Sequence, residues 1–290
     1  MGKMEKINNE IFYLLPQSQD GGAMAFITGK SNFLIDCGAS DNSISELSSA
    51  LKKIGYSLKN IDCVVFTHCH PENIGGAHRL IELAPWIRVM SFGAQADRLK
   101  NPTYYATRNY SLCQDYAPPF REVRGVFIDG RVSDDSPVFR DLHPVPAPGH
   151  DVDCVCWYHA PTGTLICGDA VQGDGTDITG VAAFTDLHDY RDSLNEIRTL
   201  DLKYMLCGAG FRGVDPIIVG TEACHQALNY SYDRTEVYES YAEEYVKETK
   251  RKRLQFSLED MVMDYFSDKK KPAYYGYSMI TFRQYVKQYL

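Results

Sequence analysis

The amino-acid sequence predicts an α+β fold with a helical C-terminal part. Short apolar runs with strand character alternate with segments of helical apolar spacing through the first half of the chain. After residue 220 the composition shifts to long helical patterns. The 290 residues suffice for one large domain or for one domain with an appendage, and either can bury a sizeable core. We predict a domain over residues 1–220 and a helical extension over residues 221–290.

The first predicted elements are three strands, a helix and a buried strand. Residues 11–15, 24–28 and 32–36 are rich in β-forming residues, and the three-residue gap at 29–31 predicts a hairpin between the last two. The next segment has apolar residues at helical spacing and ends at a glycine. Its apolar residues are Leu47, Ala50, Leu51 and Ile54. Residues 61–68 then form an apolar run dense enough for a buried strand.

Further strands and helices are predicted up to residue 210. Helices are expected near residues 80–83, 94–99 and 190–200, and strands near residues 87–90, 125–128, 138–145, 154–159, 164–167 and 203–210. Residues 101–124 break this pattern and are rich in Tyr, Pro and Arg. Long irregular insertions often act as lids over a site, but a plain surface excursion explains this segment as well.

Composition and charge exclude several classes of protein. With 44% hydrophobic and 23% charged residues, the chain is neither disordered nor collagen-like. A net charge of -8 disfavours binding to nucleic acid, and the mixed-charge run at 247–253 is typical of a solvated helix face. The nine cysteines form no C-x-x-C pair, and no segment has the apolar character of a signal peptide or a membrane span. We expect a cytoplasmic protein that binds a small-molecule substrate.

Four short motifs place chemically active side chains at the ends of predicted strands. In 67-THCHPENIGG-76, His68 and His70 are two residues apart after a strand, so both imidazoles can point at one metal ion. Taken alone, a pair of surface histidines explains them equally well. His150 follows a proline-braced turn in 146-PAPGH-150. Asp169 in 165-LICGD-169 and Asp36 in 34-LIDCG-38 leave apolar strands, where a carboxylate needs a cation or hydrogen-bond donors.

The order and spacing of these four motifs resemble the metallo-β-lactamase fold superfamily over residues 11–211. The resemblance implies an αββα sandwich, in which two mixed β-sheets are flanked by helices and the site lies at one sheet edge. It implies that His68, His70 and His150 are the three ligands of a first metal ion. Asp169 matches a carboxylate shared with a second ion, and Asp36 matches a buried acidic residue that supports the metal loops.

The sequence departs from the family at the second metal site. Glu72 stands where the family has Asp, and Asn73 stands where it has His. A further His is expected near 206-LCGAG-210, where Ala209, or Phe211 in an alternative placement, has no coordinating atom. A neutral amide is a poor ligand for zinc beside imidazole. We therefore expect one bound ion, zinc in the first place, with iron or manganese as alternatives.

The resemblance implies a metal-dependent hydrolase that uses a metal-bound hydroxide on an ester, lactone, thioester or related carbonyl substrate. Glu72 and Asp169 are the candidate catalytic carboxylates, although Glu72 could equally hydrogen-bond its own loop. Two readings remain open, a mononuclear non-haem iron oxygenase of the same fold and a non-catalytic binding member. The tyrosine-rich extension is expected to pack beside the pocket or to form a homodimer, with packing inside one core as the alternative.

Overall fold

The computed structural model describes residues 4–15, 21–104, 122–132 and 140–290. Within these residues the first β-sheet has seven strands, ordered along the sheet as they are along the chain. They are β1 (Met4–Lys6), β2 (Ile11–Leu14), β3 (Met24–Ile27), β4 (Phe33–Ile35), β5 (Cys63–Val65), β6 (Arg88–Ser91) and β7 (Gly130–Arg131). Strands β1 to β4 pair antiparallel, which confirms the predicted β3–β4 hairpin, and β4 to β7 pair parallel.

The second sheet has five described strands in the order β12-β11-β10-β9-β8. They are β8 (Leu142–Pro146), β9 (Val155–His159), β10 (Thr164–Gly168), β11 (Tyr204–Cys207) and β12 (Ile217–Val219). In this sheet only β10 and β11 pair parallel, and the other neighbouring strands pair antiparallel. Both sheets therefore combine parallel and antiparallel pairs, as predicted. The two sheets share a buried core, and the Trp157 indole of β9 donates a hydrogen bond of 3.0 Å to the Phe66 carbonyl beyond β5.

Helices cover the outer face of each sheet. Those on the first sheet are α1 (Asp41–Lys53), α2 (Pro71–Ile74), α3 (Ala77–Leu83) and α4 (Gln95–Lys100). Helix α1 buries Ile44, Leu47 and Leu51 against Leu34 and Val64 of the sheet. Those on the second sheet are α5 (Leu187–Ile197), α6 (Thr221–Arg251), α7 (Leu258–Tyr265) and α8 (Tyr275–Val286). The predicted αββα sandwich with C-terminal helices is confirmed.

The C-terminal helices pack into the core of the same chain. Tyr238 of α6, Tyr265 of α7 and Phe282 of α8 are buried in one cluster with Met205 of β11 and Leu194 of α5. These aromatic side chains of the extension therefore pack inside the core of one chain. Such packing is the alternative to a subunit interface that the sequence left open. The homodimer and the domain boundary at residue 220 stay predictions.

Two segments differ from the sequence-based assignments. Residues 125–128, predicted as a strand, are irregular, because Val126 donates its N–H to the Leu99 carbonyl at the end of α4 and pairing with β6 begins only at Asp129. The strand predicted at 138–145 begins at Leu142 in the part that is described. Most of the insertion at 101–124 lies outside the described residues. Among those that are described, no helix combines the length and the apolar character needed to cross a lipid bilayer.

Candidate metal centre

The sequence-predicted site residues meet where several strands end. His68 and His70 follow β5, His150 lies in the turn between β8 and β9, and Asp169 directly follows β10. The carboxyl ends of parallel strands share one sheet edge, which brings loops far apart in sequence to one place. Pro71 then begins α2 immediately after His70, and its fixed φ suits the first position of a helix.

Three imidazoles converge at this edge. The nitrogens His70 Nδ1 and His150 Nε2 lie 3.0 Å apart, and one ring nitrogen from each of the three histidines lies within 4.8 Å of the others. His68 is fully buried, and its Nε2 has no hydrogen-bond partner among the described residues. Burial and the neighbouring histidines hold the pKa of His68 well below its usual value, so the ring is neutral. A buried lone pair beside two further imidazoles fits a metal ion.

Two carboxylates lie beside the same histidines. Asp169 Oδ2 is 3.8 Å from His150 Nε2, and Glu72 Oε1 is 3.7 Å from His70 Nδ1. Ligand atoms of His68, Glu72 and Asp169 also lie within 4.8 Å of one another. Burial raises the pKa of Asp169. Three imidazoles and carboxylate oxygens are donors that zinc, iron and manganese accept, so the residues present fit a metal ion of this kind.

Each histidine has its remaining ring nitrogen engaged by a neighbour. Nδ1 of His68 lies 3.1 Å from the Thr67 hydroxyl, and Nε2 of His70 lies 3.2 Å from Asp151 Oδ2. Nδ1 of His150 lies 2.5 Å from the Ala183 carbonyl oxygen, which can only accept, so Nδ1 carries the proton. The nitrogens left over face one another. Such partners orient metal-binding histidines and set their tautomers.

Asp151 and Arg98 form a buried support for His70. Arg98 donates a hydrogen bond of 2.8 Å to Asp151 Oδ2 and lies 3.6 Å from Asp153 Oδ1. Burial opposes ionisation of Asp151, but the hydrogen bonds from His70 and Arg98 outweigh it and hold the pKa of Asp151 well below its usual range. Burial also lowers the pKa of His70, but Asp151 and Glu72 outweigh it and raise that pKa to about 9. Neither Asp151 nor Arg98 could be assigned this role from the sequence, in which only the position of Asp151 beside His150 hints at it.

Asp36 supports the loop that carries His68 and His70. Its carboxylate accepts hydrogen bonds from the Thr67 backbone N–H at 2.8 Å, the Thr67 hydroxyl at 2.7 Å and the Asn73 amide at 3.0 Å. Despite these donors, burial raises the pKa of Asp36 to about 7. Asn73 is fully buried and turned toward Asp36. It therefore helps to hold the loop together, and the expectation that it does not replace a metal-binding histidine stays a prediction.

The two positions considered for a further histidine after β11 offer no ligand atom. Ala209 is half-buried and Phe211 is packed in the core, and neither side chain has an atom that coordinates metal. Gly208 lies so close to β10 that a Cβ at this position would overlap Asp169 Oδ1. The close approach of the Gly208 backbone limits where the Asp169 carboxylate can lie.

Residues 20–209 match the metallo-beta-lactamase superfamily. The chain belongs to this superfamily. It is 27% identical over 184 residues to a beta-lactamase-like protein 2 homolog of Caenorhabditis elegans, covering 63% of this chain and 53% of that relative. It is 28% identical over 220 residues to the atrochrysone carboxyl ACP thioesterase of Aspergillus fumigatus, covering 75% and 58%. The matched parts thus span little more than half the length of these two relatives.

Solved structures of the superfamily share the fold. A metallo-beta-lactamase family protein from Thermus thermophilus superposes with a TM-score of 0.73 at 14% identity, over 98% of this chain and 95% of the other. A metallo-beta-lactamase with a HARLDQ motif from Cronobacter sakazakii gives a TM-score of 0.59 at 16% identity, over 81% and 93%. At such low identity the likeness concerns architecture alone. The first superposition includes the C-terminal helices, because it covers almost the whole chain.

Proposed function

We propose that this protein is a metal-dependent hydrolase acting on an ester, lactone, thioester or related carbonyl substrate. The observation that carries the proposal is the buried Nε2 of His68, without a partner among the described residues and facing His70 and His150. Membership in the metallo-beta-lactamase superfamily supports the same reading. The proposal includes one ion, held by His68, His70, His150 and Asp169, with zinc preferred over iron or manganese.

A zinc ion bound there would lower the pKa of water and polarise a carbonyl group. The side chains of the protein would hold and move protons around this centre. Glu72 is 38% exposed at the open side of the cluster, with Oε1 3.7 Å from His70 Nδ1, so its carboxylate can accept a proton from an attacking water. Asp169 lies deeper, beside His150, and fixes the other side of the centre.

One relative supports the inclusion of thioesters in the proposed substrate class. The Aspergillus fumigatus relative is an atrochrysone carboxyl ACP thioesterase. That substrate belongs to the relative. Esters, lactones and thioesters share the same electrophilic carbonyl, so the proposed site treats them by the same chemistry.

The test combines metal analysis with a substrate screen on the purified full chain. Anaerobic preparation followed by elemental analysis should give one equivalent of metal per chain, and an ester, lactone and thioester panel should show hydrolysis that EDTA abolishes. His150→Ala should lose both metal and activity. His188→Ala, on the exposed side of α5, is the matched control and should keep both.

Four results would overturn the proposal or one part of it. Two equivalents retained after exhaustive dialysis would contradict the single ion, and activity in a metal-free chain would contradict metal dependence. Iron with consumption of oxygen would instead support the oxygenase reading. A chain that binds metal without turning over any carbonyl substrate of the panel would favour a binding role.

A further inference from the structure

A short irregular segment, residues 182–184, lies against the His150 ring. The Ala183 carbonyl accepts from His150 Nδ1 at 2.5 Å and also from the Gln172 side-chain amide at 2.8 Å. Gln172 returns the contact, because its Oε1 accepts from the Ala183 N–H at 2.9 Å. The Gln172 side chain is therefore paired with both polar groups of Ala183, and it fixes the direction of the carbonyl that holds the His150 proton.

Thr281 of α8 forms hydrogen bonds to the segment on both sides of Ala183. Its hydroxyl donates to the Ala182 carbonyl at 2.8 Å and accepts from the Phe184 N–H at 3.2 Å. The side chain of Thr281 is fully buried. One hydroxyl from a C-terminal helix thus satisfies the two peptide groups that flank the residue touching His150.

Tyr238 of α6 is a further residue that holds the segment by a hydrogen bond. Its hydroxyl accepts from the Ala182 N–H at 3.3 Å and donates to Asp174 Oδ1 at 2.6 Å. Two further contacts hold the chain that leads into this segment: Ser278 donates to the Thr179 carbonyl at 2.7 Å, and Ser231 accepts from the Gly173 N–H at 3.0 Å. Helices α6 and α8 therefore hold the loop from residue 173 to residue 184.

Because residues 182–184 are buried, the hydrogen bonds from α6 and α8 determine where this segment lies. Ala182, Ala183 and Phe184 are all buried, yet they belong to no helix or strand that would pair their backbone groups. Unpaired buried backbone groups cost free energy comparable to a lost hydrogen bond. The segment therefore sits where side chains from the C-terminal helices can pair it, and that position places the Ala183 carbonyl on His150.

We propose that Thr281 and Tyr238 are positioning residues for the metal ligand His150, acting through the Ala183 carbonyl. Holding the proton on Nδ1 leaves the Nε2 lone pair facing His70 and Asp169. The C-terminal extension is then part of the machinery that binds metal, although the residues that bind it lie in the preceding domain. This inference rests on the metal centre of the proposed function.

Metal affinity of the full chain tests the proposal without any substrate. Thr281→Val keeps the shape of the side chain and removes both hydrogen bonds. It should weaken Zn²⁺ binding about tenfold, the lower end of the range found when a partner of a metal-binding histidine is lost. Thr281→Ser keeps the hydroxyl and should bind within about threefold of the wild type on that scale. The readout is competition with a chromophoric chelator.

Tyr285→Phe is the matched control for loss of a buried contact between the same helices. The Tyr285 hydroxyl of α8 donates to the Thr235 carbonyl of α6 at 2.9 Å and does not contact residues 182–184 in any described hydrogen bond. Unfolding midpoints of the metal-free variants show how much each change destabilises the protein. Tyr285→Phe should lower the midpoint while leaving Zn²⁺ affinity unchanged. If Thr281→Val does not fold, Tyr238→Phe tests the same segment from α6.

Wild-type affinity in a folded Thr281→Val variant would overturn the proposal, and so would an equal loss of affinity in Tyr285→Phe. The proposed function fails differently. A wild type that binds Zn²⁺ but hydrolyses nothing refutes the hydrolase and leaves this comparison intact. A wild type that binds no metal refutes both.

Discussion

His70 Nε2 lies 3.2 Å from Asp151 Oδ2, and the same oxygen accepts a hydrogen bond of 2.8 Å from Arg98. One buried carboxylate oxygen therefore serves a candidate metal ligand from one loop and a cation from α4. Asp151 is adjacent to His150 in the chain, so the residue that contacts His70 comes from the turn that carries another candidate ligand. The two histidine loops are coupled through this contact.

Replacing Asp151 should weaken metal binding. Asp151→Asn keeps the shape but removes the negative charge that faces His70 and Arg98, so we expect Zn²⁺ affinity to fall about 10–100-fold. Chelator competition measures it. Asp97→Asn makes the same charge change at an exposed position of α4 and should have no effect. Equal affinities for the two variants would show that Asp151 does not orient the ligand.

A methyl group at residue 208 should disturb Asp169. Gly208→Ala places a Cβ where it overlaps Asp169 Oδ1, so the carboxylate must move and Zn²⁺ affinity should fall at least about tenfold. Gly210→Ala, in the same loop, meets only Pro216 Cδ at 3.7 Å, an ordinary contact, and should bind metal normally. Titration of both variants decides whether the close approach at residue 208 sets the Asp169 position.

Neutralising Glu72 should separate catalysis from metal binding. Glu72→Gln cannot accept a proton, so kcat should fall about 100-fold or more while the metal content stays at one equivalent. Steady-state kinetics and elemental analysis of the same preparation provide both readouts, with Glu82→Gln on α3 as the exposed control. Loss of metal would identify Glu72 as a ligand, and unchanged kinetics would leave it as a loop contact.

Two histidines should create a second metal site. Asn73→His combined with Ala209→His restores the imidazoles that the family places there, so the stoichiometry should rise from one ion to two. The structural condition is that the new side chain at residue 73 keeps a donor for Asp36, which Asn73 now contacts at 3.0 Å. The single variants should remain at one ion. No gain in the double variant would mean that residue 209 is not the matching position.

Asp36 should make the free energy of unfolding depend on pH. Its pKa is raised to about 7 in the folded protein, against about 3.9 for an unfolded chain. Between these values the folded protein keeps a proton that the unfolded chain releases, so this residue's contribution to the free energy of unfolding falls as pH rises. The fall should total about 3 to 4 kcal/mol.

Urea unfolding of EDTA-treated protein at several pH values from 4 to 8 measures this effect. Asp36→Asn cannot titrate, so the difference in unfolding free energy between wild type and variant should shrink or change sign across the interval. Parallel pH profiles would show that Asp36 keeps an ordinary pKa in the folded protein.

Residues adjacent to strand ends could be predicted from the sequence, because apolar periodicity locates the strands and the chemistry follows immediately. His68, His70, His150, Asp169 and Asp36 were all found in this way, and the structure places the first four around one point. The strand assigned to residues 125–128 was wrong because its apolar pattern says nothing about pairing with the end of α4.

The supporting residues could not be predicted, because their roles depend on tertiary contacts. Arg98 meets Asp151 across 53 positions, and Thr281 meets Ala182 across 99. Ala183 acts through its backbone carbonyl, which any residue type carries, so its side chain gives no signal. Asn73 was flagged as a missing ligand, but only the structure gives it a positive role in holding Asp36.

The hydrogen bonds between Thr281 and residues 182–184 also have a consequence for biosynthesis. His68, His70, His150 and Asp169 all emerge from the ribosome well before α8 is made. Until then residues 182–184 lack both hydrogen bonds from Thr281, so the Ala183 carbonyl that holds the His150 proton is paired with Gln172 without the support of α8. Firm metal loading should therefore follow the synthesis of α8, and chains interrupted before Thr281 should be made in quantity yet recovered without metal.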